Sequence, residues 1–227
     1  MDVNDTSFWN LHGPESTAKH AEWAEDMDYE STVTCPIKEG HQRAGRRLPN
    51  LSVMLRGGIV EDFVWTWYSE CLVQDRVLEL FKRSGFTGYD VKPARARFKR
   101  ASERQPPRLR ELIVTGWGGM APAGSGIRVI ERCEGCGHTV YSGCDNPDHL
   151  IDVSHWDGSD FFIVWPLPKF IFVTERVAQA IRENHLTGAM LKQPRELDLS
   201  GGFSPGPLSY SMAEERARQL GAALGID

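Results

Sequence analysis

Cys133-Glu134-Gly135-Cys136-Gly137-His138 constrains this chain more than any other stretch of it. Two residues between cysteines let both sulfurs face inward from one tight turn. A glycine after the second cysteine supplies the left-handed backbone that such a knuckle often takes. That is half of a tetrahedral thiolate site, and a metal at the knuckle of 133–144 needs two further ligands from elsewhere; the alternative is two reduced thiols in a glycine turn, with His138, His149 and His155 as ordinary surface or core histidines.

Two completions are open on the residues alone. Cys144 with His138 or His149 would close the site locally, at little cost in chain entropy. Cys35 with His41 would close it from far upstream and staple distant segments together, which contributes more to fold stability. In either arrangement a zinc ion would be structural, held by deprotonated ligands and closed against water. A dithiol redox pair fits less well: such a motif opens a helix after a strand, whereas Gly137-His138-Thr139-Val140-Tyr141 reads as extended. The fifth cysteine, Cys71, lies in Trp67-Tyr68-Ser69-Glu70-Cys71-Leu72-Val73 and is expected to be a buried, inert thiol.

The charge balance narrows the partner classes. With 26 basic and 31 acidic residues, the net charge of -5 repels a phosphate backbone unless basic side chains gather on one face. No apolar run is long enough for a membrane span, and the opening Met1-Asp2-Val3-Asn4-Asp5 lacks the basic and apolar regions of a secretory signal. A cytoplasmic protein is expected. His155, Asp152 and Asp157 lie close in sequence, but no nucleophile motif accompanies them and no catalytic set is expected.

Periodicity and punctuation predict one α+β domain over 1–227, mainly antiparallel sheet with two or three helices and a zinc-ribbon-like knuckle. The aromatic N-terminal stretch, with Phe8 and Trp9, should pack on the core. Ser31-Thr32-Val33-Thr34 is β-prone and places Cys35 at a strand end. A helix is predicted near Val73 to Phe81, with Val73, Val77, Leu80 and Phe81 on one face and Gly85 as its stop. Strands are predicted at 89–98 and 109–115, separated by a polar loop. The run from Gly116 to Gly126 reads as a flexible turn; it lacks the Gly-Lys-Ser/Thr ending and the following helix of a phosphate loop. Strands follow at 127–130, 160–165 and 170–173, then a helix near Glu175 to His185 capped by Thr174, and a C-terminal helix from Ser211 with a Glu214 capping box.

Several of these residues together resemble the myxobacterial double-CxxCG motif proteins, which include immunity proteins of swarming-inhibition toxin systems. The likeness rests on Cys35-Pro36, the Leu48-Pro49-Asn50-Leu51-Ser52 stretch, a central helix, Cys133 to Gly137, and the Phe170-Ile171-Phe172-Val173-Thr174-Glu175-Arg176 junction. The first motif departs from the pattern: Lys38 and Glu39 stand where the second cysteine and its glycine would be. His41 substituting, local completion and loss of the metal are all compatible with that departure. The candidate ligand set is Cys133, Cys136, Cys35 and His41, with Zn2+ as the structural cofactor.

The resemblance implies a cytoplasmic protein that binds and neutralises a toxin delivered by sibling cells and encoded by the adjacent gene. Glu22, Glu25, Asp26, Asp28 and Glu30, interleaved with Trp23 and Tyr29, have the composition of a surface for a basic partner such as a nuclease; a solvated face with packing tryptophans is the simpler account. A second reading is a zinc-stapled adaptor or nucleic-acid-associated protein. Its motivation is the basic stretch Arg95, Arg97, Lys99, Arg100, Arg104, Arg108 and Arg110, where Arg95 and Arg97 would share one strand face.

Overall fold

A computed structural model describes residues 7–16, 20–24, 27–29, 34–41, 47–57, 59–100, 105–206, 208–210 and 212–224. In the first half of the chain lie β1 (Phe8–His12), β2 (Glu22–Trp23), β3 (Ser52–Leu55), β4 (Phe63–Trp65), β5 (Cys71–Gln74), α1 (Asp75–Arg83), β6 (Tyr89–Pro93) and β7 (Arg95–Phe98). In the second half lie β8 (Leu109–Val114), β9 (Gly116–Met120), β10 (Val129–Arg132), β11 (Thr139–Tyr141), β12 (Phe161–Trp165), β13 (Ile171–Thr174), α2 (Glu175–Glu183), β14 (Met190–Lys192) and α3 (Glu214–Leu224). The class is α+β with mostly antiparallel pairing, as the sequence predicts.

Two sheets carry the fold. One has the order β4-β5-β8-β6 and is antiparallel throughout. The other has the order β14-β1-β13-β12-β9, antiparallel except for the β12–β9 pair. β4, β12 and β13 are buried along their whole length and read as nearly unbroken apolar runs because both faces are covered. Phe161, Ile163 and Trp165 point into a central core with Phe63, Trp65, Val73, Val173 and the helical Val77, Phe81, Val177 and Ile181. Phe162, Val164 and Phe172 point the other way, into a cluster with Phe8 and Leu150. Val64, Leu72 and Leu109 do the same in the first sheet, against Leu51 and Val53. Two smaller sheets, β2-β3-β7 and β10-β11, flank these layers.

Buried carboxylates tie the two main sheets together. Asp62 accepts from the Thr187 backbone N–H at 2.7 Å and from its hydroxyl at 2.9 Å, and pairs with Arg76. Asp160 accepts from the Thr87 backbone N–H at 3.0 Å and from the Thr174 hydroxyl at 2.9 Å, and pairs with Arg176.

Three local expectations are corrected. Val73 lies in β5, not on the helix; α1 begins at Asp75, and Val73 reaches the same core from the strand. Its apolar neighbours suit either period, and the β5 ladder to β8 decides the matter. Gly116 to Met120 is a strand, not a flexible turn. There Gly118 lets the Phe162 ring approach to where a Cβ would sit 2.5 Å from it. Thr174 stands at the helix N-cap but its hydroxyl donates to Asp160, so it does not cap α2. Gly85 does end α1, at φ +65°. Residues 31–33 and Ser211, on which a strand and a capping box were expected, lie outside the described residues, and Thr34 and Cys35 are not in a strand.

Candidate metal centre

Cys35, His41, Cys133 and Cys136 converge. Their ligand atoms all lie within 4.8 Å of one another, and they are the only group of metal-capable side chains found among the described residues. The Cys35 and Cys133 sulfurs are 3.6 Å apart across 98 residues of sequence, and Cys136 Sγ is 3.8 Å from His41 Nδ1. Ligand bonds of about 2.0 to 2.3 Å in a tetrahedron give edges of roughly 3.3 to 3.8 Å, so these two separations suit one small ion. Three thiolates and an imidazole are a soft donor set of the kind that holds Zn2+. The donor set therefore fits, and the ligands come from two distant segments.

Each segment is shaped for the task. Around Cys35, the backbone N–H groups of Ile37 and Lys38 donate to the sulfur at 3.4 and 3.2 Å. Around Cys133, the knuckle closes through Gly137 N–H to the Cys133 carbonyl and Cys133 N–H to the His138 carbonyl, both at 2.8 Å. Gly137 takes φ +69°, the left-handed backbone the sequence predicts for it. The two turns meet face to face: a Cβ on Gly135 would sit 2.7 Å from the Ile37 side chain. Above them the His41 and His138 rings stack at 4.2 Å.

The electrostatics favour a thiolate at one corner. Burial opposes ionisation of Cys35, yet the N–H groups of Lys38 and Ile37 and the sulfurs of Cys136 and Cys133 outweigh it and bring the thiol down to about 6. Burial raises Cys136 above the usual thiol value, and the neighbouring sulfurs add to that rise. Lys38 and Glu131 pair beside the centre and pull one another's pKa values apart, Lys38 up and Glu131 down.

No family model matches this chain, and no curated protein matches it. Local completion of the knuckle is not what forms: Cys144 packs in the cluster around Leu150 and Phe162, its thiol donating to the Ser125 carbonyl at 3.2 Å. Cys71 is buried as expected, and burial pushes its thiol well above the ordinary value.

The other sequence candidates are scattered. Glu22 is engaged by Arg56 and Lys99. Trp23 stacks on Tyr68 with ring centroids 4.0 Å apart and faces the cluster around Val53. Asp28 is exposed, and its carbonyl accepts from Leu48 N–H. Glu25, Asp26 and Glu30 lie outside the described residues. His155 bonds Asp152 at 2.9 Å on the surface, whereas Asp157 is turned to Trp117 N–H and Arg216. Arg95 and Arg97 are exposed and share one face of β7, in register with Ser52 and Met54 of β3. An exposed aromatic pair at the β4–β5 turn is not among the sequence candidates. There Trp67 is 49% and Tyr68 50% exposed, with Arg56 over the Trp67 ring at 5.7 Å. Three aromatics within Trp65-Thr66-Trp67-Tyr68, beside a turn-forming Ser69, were the available signal.

Proposed function

We propose that this protein acts by recognition, as a cytoplasmic immunity protein that binds and neutralises a protein toxin delivered by sibling cells, with Zn2+ as a structural staple. The observation that carries the reading is the meeting of Cys35 with Cys133 and Cys136. These are the positions on which the resemblance to the double-CxxCG proteins rests, and a shared role in one centre gives that resemblance a physical reason. Zinc there would stabilise the segments it joins by restricting the unfolded chain and by its own ligation energy. It would not need an open coordination position, because four protein ligands are already supplied.

Binding needs an exposed surface with anchors. Trp67 lies under Arg56, which lines one groove with Ile59, 91% exposed; Tyr68, 50% exposed, follows Trp67 in the same turn and stacks on Trp23. Tryptophan and tyrosine are among the side chains that most often dominate protein interfaces. Glu22, the first acidic candidate, is already neutralised by Arg56 and Lys99. The aromatic patch is therefore the stronger anchor in this reading.

Co-expression with the product of the adjacent gene tests the proposal. Rescue of growth together with a co-purifying complex is the expected result; toxicity unrelieved and no complex would remove it. The nucleic-acid-associated reading draws on the shared face of Arg95 and Arg97. It requires single- or double-stranded oligonucleotide binding that weakens steeply with salt.

A further inference from the structure

The two halves of the chain repeat one another. β5-α1-β6 and β13-α2-β14 share Val73/Val173, Arg76/Arg176 and Val77/Val177, and both carry a Thr-Gly pair between the helix and the last strand, Thr87-Gly88 and Thr187-Gly188. The contacts repeat as well. Thr87 is held by Asp160 and Thr187 by Asp62, each carboxylate coming from the other half. A Cβ on Gly88 would sit 2.1 Å from the Phe161 carbonyl, and one on Gly188 would sit 2.1 Å from the Phe63 carbonyl.

The opening strand of each half is exchanged. β1 lies between β13 and β14 of the second half, pairing Asn10 with Phe172 and Lys192. β8 lies between β5 and β6 of the first half, pairing Glu111 with Leu72 and Lys92 in the equivalent register. The chain then returns to its own half in the same way in both: Ala21 N–H donates to the Trp65 carbonyl at 2.8 Å and Ala121 N–H to the Trp165 carbonyl at 2.7 Å.

The metal centre falls into the same scheme. Cys35 stands to Asp62 as Cys133 stands to Asp160, so each half contributes one knuckle. Within the knuckles Lys38 is the counterpart of Cys136, three residues after the leading cysteine. Lys38 N–H bonds the Cys35 sulfur, and its ammonium pairs with Glu131 at the edge of the cluster. His41 supplies the fourth donor from the next turn of chain.

We infer that the chain is a tandem duplication with exchanged first strands, and that position 38 is a latent ligand position of the metal centre between the copies, whose role His41 has taken over. A thiol at position 38 then replaces the imidazole and gives an all-thiolate site. This rests on the zinc reading above.

The test is titration of the full-length chain with Co2+ as a spectroscopic stand-in for zinc, in wild type, His41→Ala, Lys38→Cys/His41→Ala and Lys38→Ser/His41→Ala. Wild type is expected to take up one Co2+ with tetrahedral ligand-field bands, and His41→Ala to bind it at least about tenfold more weakly. Lys38→Cys/His41→Ala should recover that loss, with the visible bands moved to lower energy and stronger sulfur-to-cobalt charge transfer. Lys38→Ser/His41→Ala should not recover it. Lys38 is half exposed, with 52% of its side chain accessible, so these variants should fold; far-ultraviolet circular dichroism checks this. If wild type binds cobalt and the cysteine and serine double variants bind it equally poorly, the latent position is refuted while the metal reading stands. If wild type binds none, both fall.

Discussion

Asp62 and Thr187 are bonded across 125 residues of sequence, the carboxylate taking both the backbone N–H and the hydroxyl of the threonine. Asp62 is 3% exposed, so removing its charge strands donors in a place that water does not reach. Asp62→Asn is expected to cost about 2 to 4 kcal/mol in denaturant unfolding. Asp160→Asn, where Thr87 and Thr174 are the stranded donors, should cost a similar amount. Arg76→Ala should cost less than either, because the Arg76 side chain is 56% accessible and its pairing is screened.

The same carboxylate sets a pH dependence. Burial pushes the Asp62 carboxyl up, but Arg76 and the Thr187 donors outweigh it and hold the group below its ordinary value of 3.8. A folded pKa below the unfolded one means that the unfolded chain binds the proton more readily. Stability from Asp62 is therefore present above the unfolded value and is lost as pH falls through the folded one. Unfolding curves of wild type and Asp62→Asn recorded at falling pH should converge. A gap that stays constant down to about pH 2 would show that ionisation of Asp62 is not what stabilises.

Gly88 and Gly188 give a paired steric test. Their φ angles are +82° and +79°, and in each case an added methyl would overlap a carbonyl of a neighbouring strand. Alanine at either position should destabilise by roughly 2 to 4 kcal/mol, since both backbone strain and overlap are imposed. Similar losses at the two sites, measured by equilibrium unfolding, are expected of equivalent positions. A neutral substitution at one and a severe one at the other would show that the halves are packed differently.

Much of this was legible in the chain, for reasons that particular residues make clear. The strand over Phe161 to Trp165 and the helix over Glu175 to Glu183 announce themselves because one is β-branched and aromatic and the other keeps a helical apolar period. Gly137 was legible as a positive-φ position because the CxxC turn needs one. Val73 was misplaced since a strand running straight into a helix presents one continuous apolar face to the core. Gly116 to Met120 concealed a strand, because its residues are chosen for close approach to Phe161 and Phe162 and not for β-propensity. The duplication was hidden in sequence by divergence of the paired positions: Trp9 and Arg110 are equivalent by pairing yet unlike in chemistry, one bonding Glu175 and the other Asp75. Which histidine would complete the knuckle depended on a long-range contact that no local pattern encodes.

Metal removal distinguishes a staple from an incidental cluster. Treatment with a strong chelator, or Cys133→Ser in metal-loaded protein, should lower stability by about 3 kcal/mol, equivalent to roughly 10 °C in the melting temperature of a domain of this size. Cys144→Ser should leave the metal content unchanged, because that thiol bonds the Ser125 carbonyl away from the centre. Elemental analysis with differential scanning calorimetry reads both effects. Equal melting of wild type and Cys133→Ser, with no metal in either, would reduce the cluster to three thiols and a histidine in contact.

The exposed indole of Trp67 supplies the corresponding test of recognition. It is anchored by Arg56 over one ring face and by the His20 ring at 5.9 Å, so truncation removes surface without opening the core. Trp67→Ala should change unfolding stability by less than about 1 kcal/mol. If this patch is the anchor for the toxin, the same change should weaken the complex by about tenfold or more, mostly through faster dissociation. Surface plasmon resonance with the adjacent-gene product measures both rates. An unchanged affinity for Trp67→Ala, alongside intact binding by wild type, would move the docking surface elsewhere on the molecule, whereas a large loss of stability would show that the indole is part of the packing and not of the interface.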